Sequence, residues 1–152
     1  DLDEVWLMVS PNNPLKDRRI LADEQERLIK AKLAICNEKI GEGQKAKGKR
    51  IVVSDFEFHL PRPTYTANTL RALTEQYPNH EFTLIIGEDN LAIFNQWREY
   101  QYILDTYRVF VYPRRGNNTM QLGSKMSENV VFLAGAPYFD ISSTELRKNL
   151  HN

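Results

Sequence analysis

The chain has 152 residues, enough for one core, and about two thirds of its unfolded surface is expected to be buried at this size. Twenty Lys and Arg balance twenty Asp and Glu, a formal net charge of +0, which argues against wrapping duplex nucleic acid or lying on an anionic membrane and makes any anion site local. The longest apolar runs, such as Val5–Val9 and Leu84–Ile86, fall far short of the roughly 20 residues of a membrane span. A single cysteine, Cys36, forms neither an internal disulfide nor a metal cluster and, with no signal-type opening, fits a reducing cytoplasm.

Runs rich in β-branched and aromatic residues alternate with amphipathic helical stretches, which predicts an α/β fold with a parallel sheet wrapped by helices. Strands are expected at Val5–Ser10, Ile51–Ser54, Phe82–Ile86, Arg108–Tyr112 and Val130–Leu133. Helices are expected near Asp23–Ile40, Thr66–Tyr77, Leu91–Leu104 with a break near Trp97, and Ser143–Leu150. Within the first helix, Ile29, Leu33, Cys36 and Ile40 recur at helical spacing and predict the buried face. The polar stretches Gly41–Arg50 and Pro113–Ser127 read as exposed connections. The βα alternation continues across both, so one domain over residues 1–152 is expected.

In an open parallel sheet, ligands sit beyond the carboxyl ends of the strands. The residues that follow the strands are polar: "SPNNPLKDRR" after the first, "GEDN" after the third, "PRRG" after the fourth and "ISSTELR" after the last. Together they supply amides, a carboxylate pair and several cationic groups, a composition suited to a phosphate-bearing ligand. Each has a plainer reading. Asn12 and Asn13 suit a turn, and Lys16, Arg18 and Arg19 suit a solvated face. Gly87 suits a tight strand-to-helix turn, Asp89 an N-cap, Arg114 and Arg115 an exposed turn, and Trp97 a core position. Ser142 and Glu145 make a capping box. The same helix start aims free N–H groups and the positive end of the dipole at one point, and Arg147, four residues after Ser143, can lean back over it. His59, His80 and His151 lack metal-ligand or acid–base spacing, and no phosphate-loop, dinucleotide or nucleophile-elbow motif is present.

The blocks "SPNNPLK", "PRPTYTANTL", "LIIGEDNLAIFNQWREYQYIL", "VYPRRG" and "APYFDISSTELR" occur in order over nearly the whole chain. In this the sequence resembles bacterial nicotinate-nucleotide adenylyltransferases, of the nucleotidyltransferase branch of Rossmann-like folds. The resemblance implies transfer of AMP from ATP to nicotinate mononucleotide, with release of pyrophosphate and with Mg²⁺ accompanying ATP, in NAD biosynthesis. It implies that Ile141, Ser142, Ser143, Thr144, Arg147 and Gly87 bind ATP. Arg147 would stabilise the charge of the phosphates. It further implies that Thr66 and Arg98 offer backbone amides to the nicotinate carboxylate, that Trp97 stacks on its ring, that Asp89 holds the mononucleotide, and that Asn12, Asn13, Lys16 and Arg114 or Arg115 surround the phosphates.

The family opens with a strand, a Gly-x-Phe-x-Pro-x-His-x-Gly-His loop and a helix that this sequence does not contain, so the resemblance implies a fragment cut at the N-terminus and also at the C-terminus. The absent strand would lie near the middle of the sheet and leave two edges unpaired. Two other readings stay open at this point: a related adenylyltransferase with another phosphate acceptor, and an inactive nucleotide-binding module. No nucleic-acid or membrane partner is expected, and self-association is left open.

Overall fold

A computed structural model of the chain describes residues 2–11, 24–38, 50–114 and 126–137. Two units, Asp1–Thr69 and Leu70–Asn152, each carry a parallel sheet, so the predicted α/β class holds.

In the first unit, β1 (Glu4–Met8) and β2 (Arg50–Ser54) pair in parallel, from Glu4 opposite Arg50 to Met8 opposite Ser54. The Val9 N–H donates to the Ser54 carbonyl at 3.0 Å and carries the pairing one step further. Parallel strands need a long crossover, and α1 (Glu24–Glu38) lies in it, packed on β2. Its buried face differs from the expected one. Ile29 and Leu33 are 56% and 55% exposed, whereas Leu28 is 6% exposed and the sheltered positions run Glu24, Arg27, Leu28, Ala31, Ile35. The spacing 27, 28, 31, 35 satisfies a helical stripe as well as 29, 33, 36, 40 does. Cys36 is in α1, but its side chain and Ile40 lie outside the described residues.

A 3-10 turn, Phe56–His59, follows β2, and α2 (Thr66–Gln76) begins after it. Arg62 donates twice to the Glu24 carboxylate, at 3.0 and 2.9 Å, tying the approach to α2 to the start of α1. This hydrogen bonding holds the Glu24 carboxyl below its usual range.

In the second unit, β3 (Thr83–Gly87), β4 (Arg108–Tyr112) and β5 (Val130–Phe132) form a parallel sheet with β4 in the centre. Val109 and Val111, alternate residues of β4, are both fully buried, as period-2 alternation requires. Leu91, Phe94, Ile103 and Leu104 complete the tightest part of the core, each worth about 1.5–3 kcal/mol of burial.

The helix expected over Leu91–Leu104 is three short pieces: α3 (Glu88–Leu91), a 3-10 turn (Phe94–Gln96) and α4 (Tyr100–Thr106). The chain leaves helical conformation at Trp97, which is extended at φ −74° and ψ 139°, and at Glu99, which is left-handed at φ 54° and ψ 37°. The last predicted helix, Ser143–Leu150, lies outside the described residues. Among those described, no helix is long and apolar enough to cross a membrane.

Candidate active site

The second unit's sheet sets its site by register. Gly87 at the end of β3 lies opposite Tyr112 at the end of β4, so the residues that follow, Glu88 and Asp89 on one side and Arg114 on the other, leave the sheet at the same edge. The structure brings three predicted site residues together here: Gly87, Asp89 and Arg114. Arg114 Nε lies 3.4 Å from Asp89 Oδ1, in a pair with both side chains partly exposed. No hydrogen bond satisfies that Nε, although the atom is buried.

Gly87 has φ −76° and ψ 154° and is the N-cap of α3. These are angles that any residue adopts, so the glycine is needed for space rather than for its backbone. A Cβ there would fall well inside van der Waals contact with Asp89 Oδ1 and only 3.2 Å from Arg114 Nε. Asp89 is consequently the second residue of α3 and not its N-cap, which corrects the plainer reading of that carboxylate.

Glu88 carries a role the sequence reading passed over. It is 4% exposed, and its Oε2 accepts the backbone N–H of Arg114 at 3.0 Å. That bond fixes the chain as it leaves β4 and so places the Arg114 guanidinium beside Asp89. Nearby, the Tyr112 hydroxyl donates to the carbonyl of Pro137, the last described residue before the stretch Ile141–Arg147. Arg115, Ile141, Ser142, Ser143, Thr144 and Arg147 themselves lie outside the described residues.

Trp97 lies between the 3-10 turn and α4. Its ring is tilted 41° against that of buried Phe94 at 4.9 Å, and it is half-buried rather than part of the closed core. Its indole N–H is buried and has no acceptor among the described residues, an arrangement that costs about 1–3 kcal/mol. Arg98, exposed, follows it. The Trp97 carbonyl accepts from the Tyr100 N–H at 3.2 Å, closing a four-residue turn with Arg98 and Glu99 at its centre. A glutamate in the left-handed region costs roughly 1–2 kcal/mol.

In the first unit, Thr66 is the first residue of α2. Its backbone N–H therefore has no acceptor inside the helix and lies at the positive end of the dipole. Asn12, Asn13 and Lys16 lie outside the described residues, but the chain that leads into them is anchored. Arg27 donates to the carbonyls of Ser10 at 2.7 Å and Pro11 at 3.0 Å. Glu57, 7% exposed, accepts the Ser10 hydroxyl at 2.5 Å and the Thr69 hydroxyl at 2.8 Å. Neither Arg27 nor Glu57 stood out in the sequence. The only available signal was a carboxylate between two phenylalanines in "FEF".

Comparison with known proteins matches this arrangement to one family. A family model described as cytidylyltransferase-like matches residues 1–149. A probable nicotinate-nucleotide adenylyltransferase of Flavobacterium johnsoniae is 41% identical over 150 residues, 99% of this chain and 72% of the relative. That of Bacteroides fragilis is 45% identical over 149 residues, 98% of this chain and 68% of the relative. Among solved structures, Plasmodium falciparum nicotinic acid mononucleotide adenylyltransferase complexed with NaAD matches with a TM-score of 0.76 at 20% identity, covering 97% of this chain and 69% of that one, a likeness of fold. The chain thus belongs to the nicotinate-nucleotide adenylyltransferase family, among the cytidylyltransferase-like proteins.

Proposed function

We propose that this protein transfers AMP from ATP to nicotinate mononucleotide, giving nicotinate adenine dinucleotide and pyrophosphate, a step of NAD biosynthesis. A phosphate oxygen of the mononucleotide forms a bond to the α-phosphorus of ATP. The bond from that phosphorus to the α–β bridging oxygen breaks, and its electron pair leaves with pyrophosphate. Such a displacement needs positioning and charge neutralisation more than covalent catalysis.

In this reading Trp97 stacks on the nicotinate ring, the Thr66 and Arg98 amides bind its carboxylate, and Asp89 orients the mononucleotide. Asn12, Asn13, Lys16, Arg114 and Arg115 surround the phosphates. Ile141, Ser142, Ser143, Thr144 and Gly87 border the ATP, and Arg147 meets the charge that grows on pyrophosphate. Mg²⁺ would enter with the nucleotide substrate and would offset the charge of its phosphates. The described residues gather no set of three carboxylate, imidazole or thiolate groups that could hold it alone.

One observation carries the reading: family membership at 41–45% identity coincides with a half-buried tryptophan beside a left-handed turn and a paired Asp–Arg at the carboxyl edge of a parallel sheet. A single nucleotidyltransferase domain accords with a family match that runs across both units. The one cysteine and small-molecule substrates suit a cytoplasmic enzyme without nucleic-acid or membrane partners.

The test is an acceptor panel. The natural full-length gene product, given ATP and Mg²⁺, should release pyrophosphate with nicotinate mononucleotide in strong preference to nicotinamide mononucleotide or pantetheine phosphate. Equal turnover of the first two would remove the acid-specific reading. Turnover of pantetheine phosphate alone would reassign the acceptor.

A further inference from the structure

Among the described residues, Glu99 is the non-glycine residue with positive φ, 54°. It occupies the third position of the turn closed by the Trp97 carbonyl and the Tyr100 N–H at 3.2 Å. A positive φ at that position ordinarily selects glycine or asparagine. Glutamate lacks the short polar side chain by which asparagine settles into this region, so its own preference does not account for the conformation.

Its side chain does. Glu99 Oε1 accepts from Arg71 Nη2 at 3.1 Å, and this bond is the largest cause that raises the Arg71 guanidinium above its ordinary pKa. The Arg71 guanidinium carbon stands 4.5 Å from the centre of the Tyr102 ring, so the cation is stacked as well as paired. The Tyr102 hydroxyl is 3.4 Å from that of Tyr107, which in turn is 3.0 Å from Thr74 Oγ1. Thr74 lies three residues after Arg71 on α2, so the chain of contacts returns to the helix it started from. On the backbone side, the Glu99 carbonyl accepts the Ile103 N–H at 3.3 Å and opens α4. A turn that needed only to start a helix would be served by glycine with no tether.

We propose that Arg71 and Glu99 are positioning residues: their ion pair, braced by Tyr102, locks the Trp97–Tyr100 turn in its left-handed form and so fixes the Trp97 ring and the Arg98 amide for the acceptor nucleotide. The proposal rests on the reading that places the acceptor at Trp97 and Arg98. Locking the turn before binding removes an ordering cost that the acceptor would otherwise bear, so its loss falls on acceptor affinity and leaves ATP alone.

The experiment uses the natural full-length gene product, with Trp97→Phe as the control that identifies the share of the emission change belonging to Trp97. Nicotinate mononucleotide is titrated against tryptophan emission, and steady-state KM is measured for both substrates. Arg71→Met and Glu99→Ala should each raise the acceptor Kd and KM about tenfold and leave the KM for ATP within about twofold. The double variant should be no worse than either single change, because both remove one interaction. Glu99→Gly, which takes positive φ without strain, should lie closer to the parent than Glu99→Ala does. An unchanged acceptor Kd in Arg71→Met and Glu99→Ala overturns the proposal, as does a parallel rise in the KM for ATP, which marks a general structural defect. A parent that neither binds nor adenylylates nicotinate mononucleotide overturns the functional reading and this proposal with it. A parent that does both while Glu99→Ala matches it overturns the proposal alone.

Discussion

Gly87→Ala tests the candidate site apart from the fold, because the space at Gly87 is filled by the Asp89 and Arg114 side chains and its backbone is ordinary. At φ −76° and ψ 154° alanine is unstrained, and its smaller unfolded-state freedom offsets about 0.4–1 kcal/mol of any loss. The new methyl would overlap Asp89 Oδ1 and approach Arg114 Nε to 3.2 Å, so the carboxylate must swing away and the pair with Arg114 opens. Those side chains are 55% and 40% exposed, so losing their attraction costs at most about 1 kcal/mol after solvent screening. Net stability should therefore stay within about 1 kcal/mol of the parent. Displacing an orienting carboxylate by about 1 Å, in contrast, should lower kcat/KM for nicotinate mononucleotide on the order of 10²-fold. Urea unfolding and steady-state kinetics on the same preparation read both quantities. A folded Gly87→Ala with parental kcat/KM for both substrates would refute the reasoning, since Asp89 and Arg114 would then not need the positions they occupy.

Glu57→Gln keeps the size of a buried side chain but offers a single oxygen where two hydroxyls now donate, so a loss of about 1–3 kcal/mol in urea unfolding is expected; parental stability would show that the carboxylate is not what holds Ser10 and Thr69. Burial holds the Tyr107 phenol above its ordinary value. The folded chain then keeps that proton longer than the unfolded chain, so the contribution is complete below about pH 10 and is lost as pH rises through the folded pKa. Tyr107→Phe should flatten the fall of Tm above that pH, and identical slopes for parent and variant would contradict the raised pKa. Trp97→Ala should raise the acceptor KM more than that for ATP, by the equivalent of about 1–3 kcal/mol of stacking, and an unchanged acceptor KM would return Trp97 to a packing role.

The pattern of β-branched residues located every described strand within two residues at each end, and β4, Arg108–Tyr112, was legible to the residue. Its alternation is clean, and the polar sequence PRRG follows it. The face of α1 was not legible, because two apolar stripes one position apart both satisfy helical spacing and only packing against β2 chooses Leu28 over Ile29. The double break between α3 and α4 was half legible. Trp97 marked one interruption, but Glu99 gave no local sign, since its left-handed backbone depends on an arginine 28 residues away. Gly87, Asp89 and Arg114 could be named as candidates, because they follow strands at the carboxyl edge of a parallel sheet and lie in the blocks that carry the family resemblance. The buried Glu57 and Glu88 that brace the neighbouring loops could not, because a carboxylate between two phenylalanines or at a helix start gives no sign of the hydroxyls and the amide that reach it.

The central claim is that AMP, and not the terminal phosphoryl group, moves to nicotinate mononucleotide. It is tested most directly by following radiolabelled phosphate from ATP labelled at either the α or the γ position, with the natural full-length protein, Mg²⁺ and nicotinate mononucleotide. The account predicts that the α label appears in a dinucleotide and the γ label in pyrophosphate. A γ label in the mononucleotide product, or an α label that never leaves the adenine nucleotide pool, would contradict it.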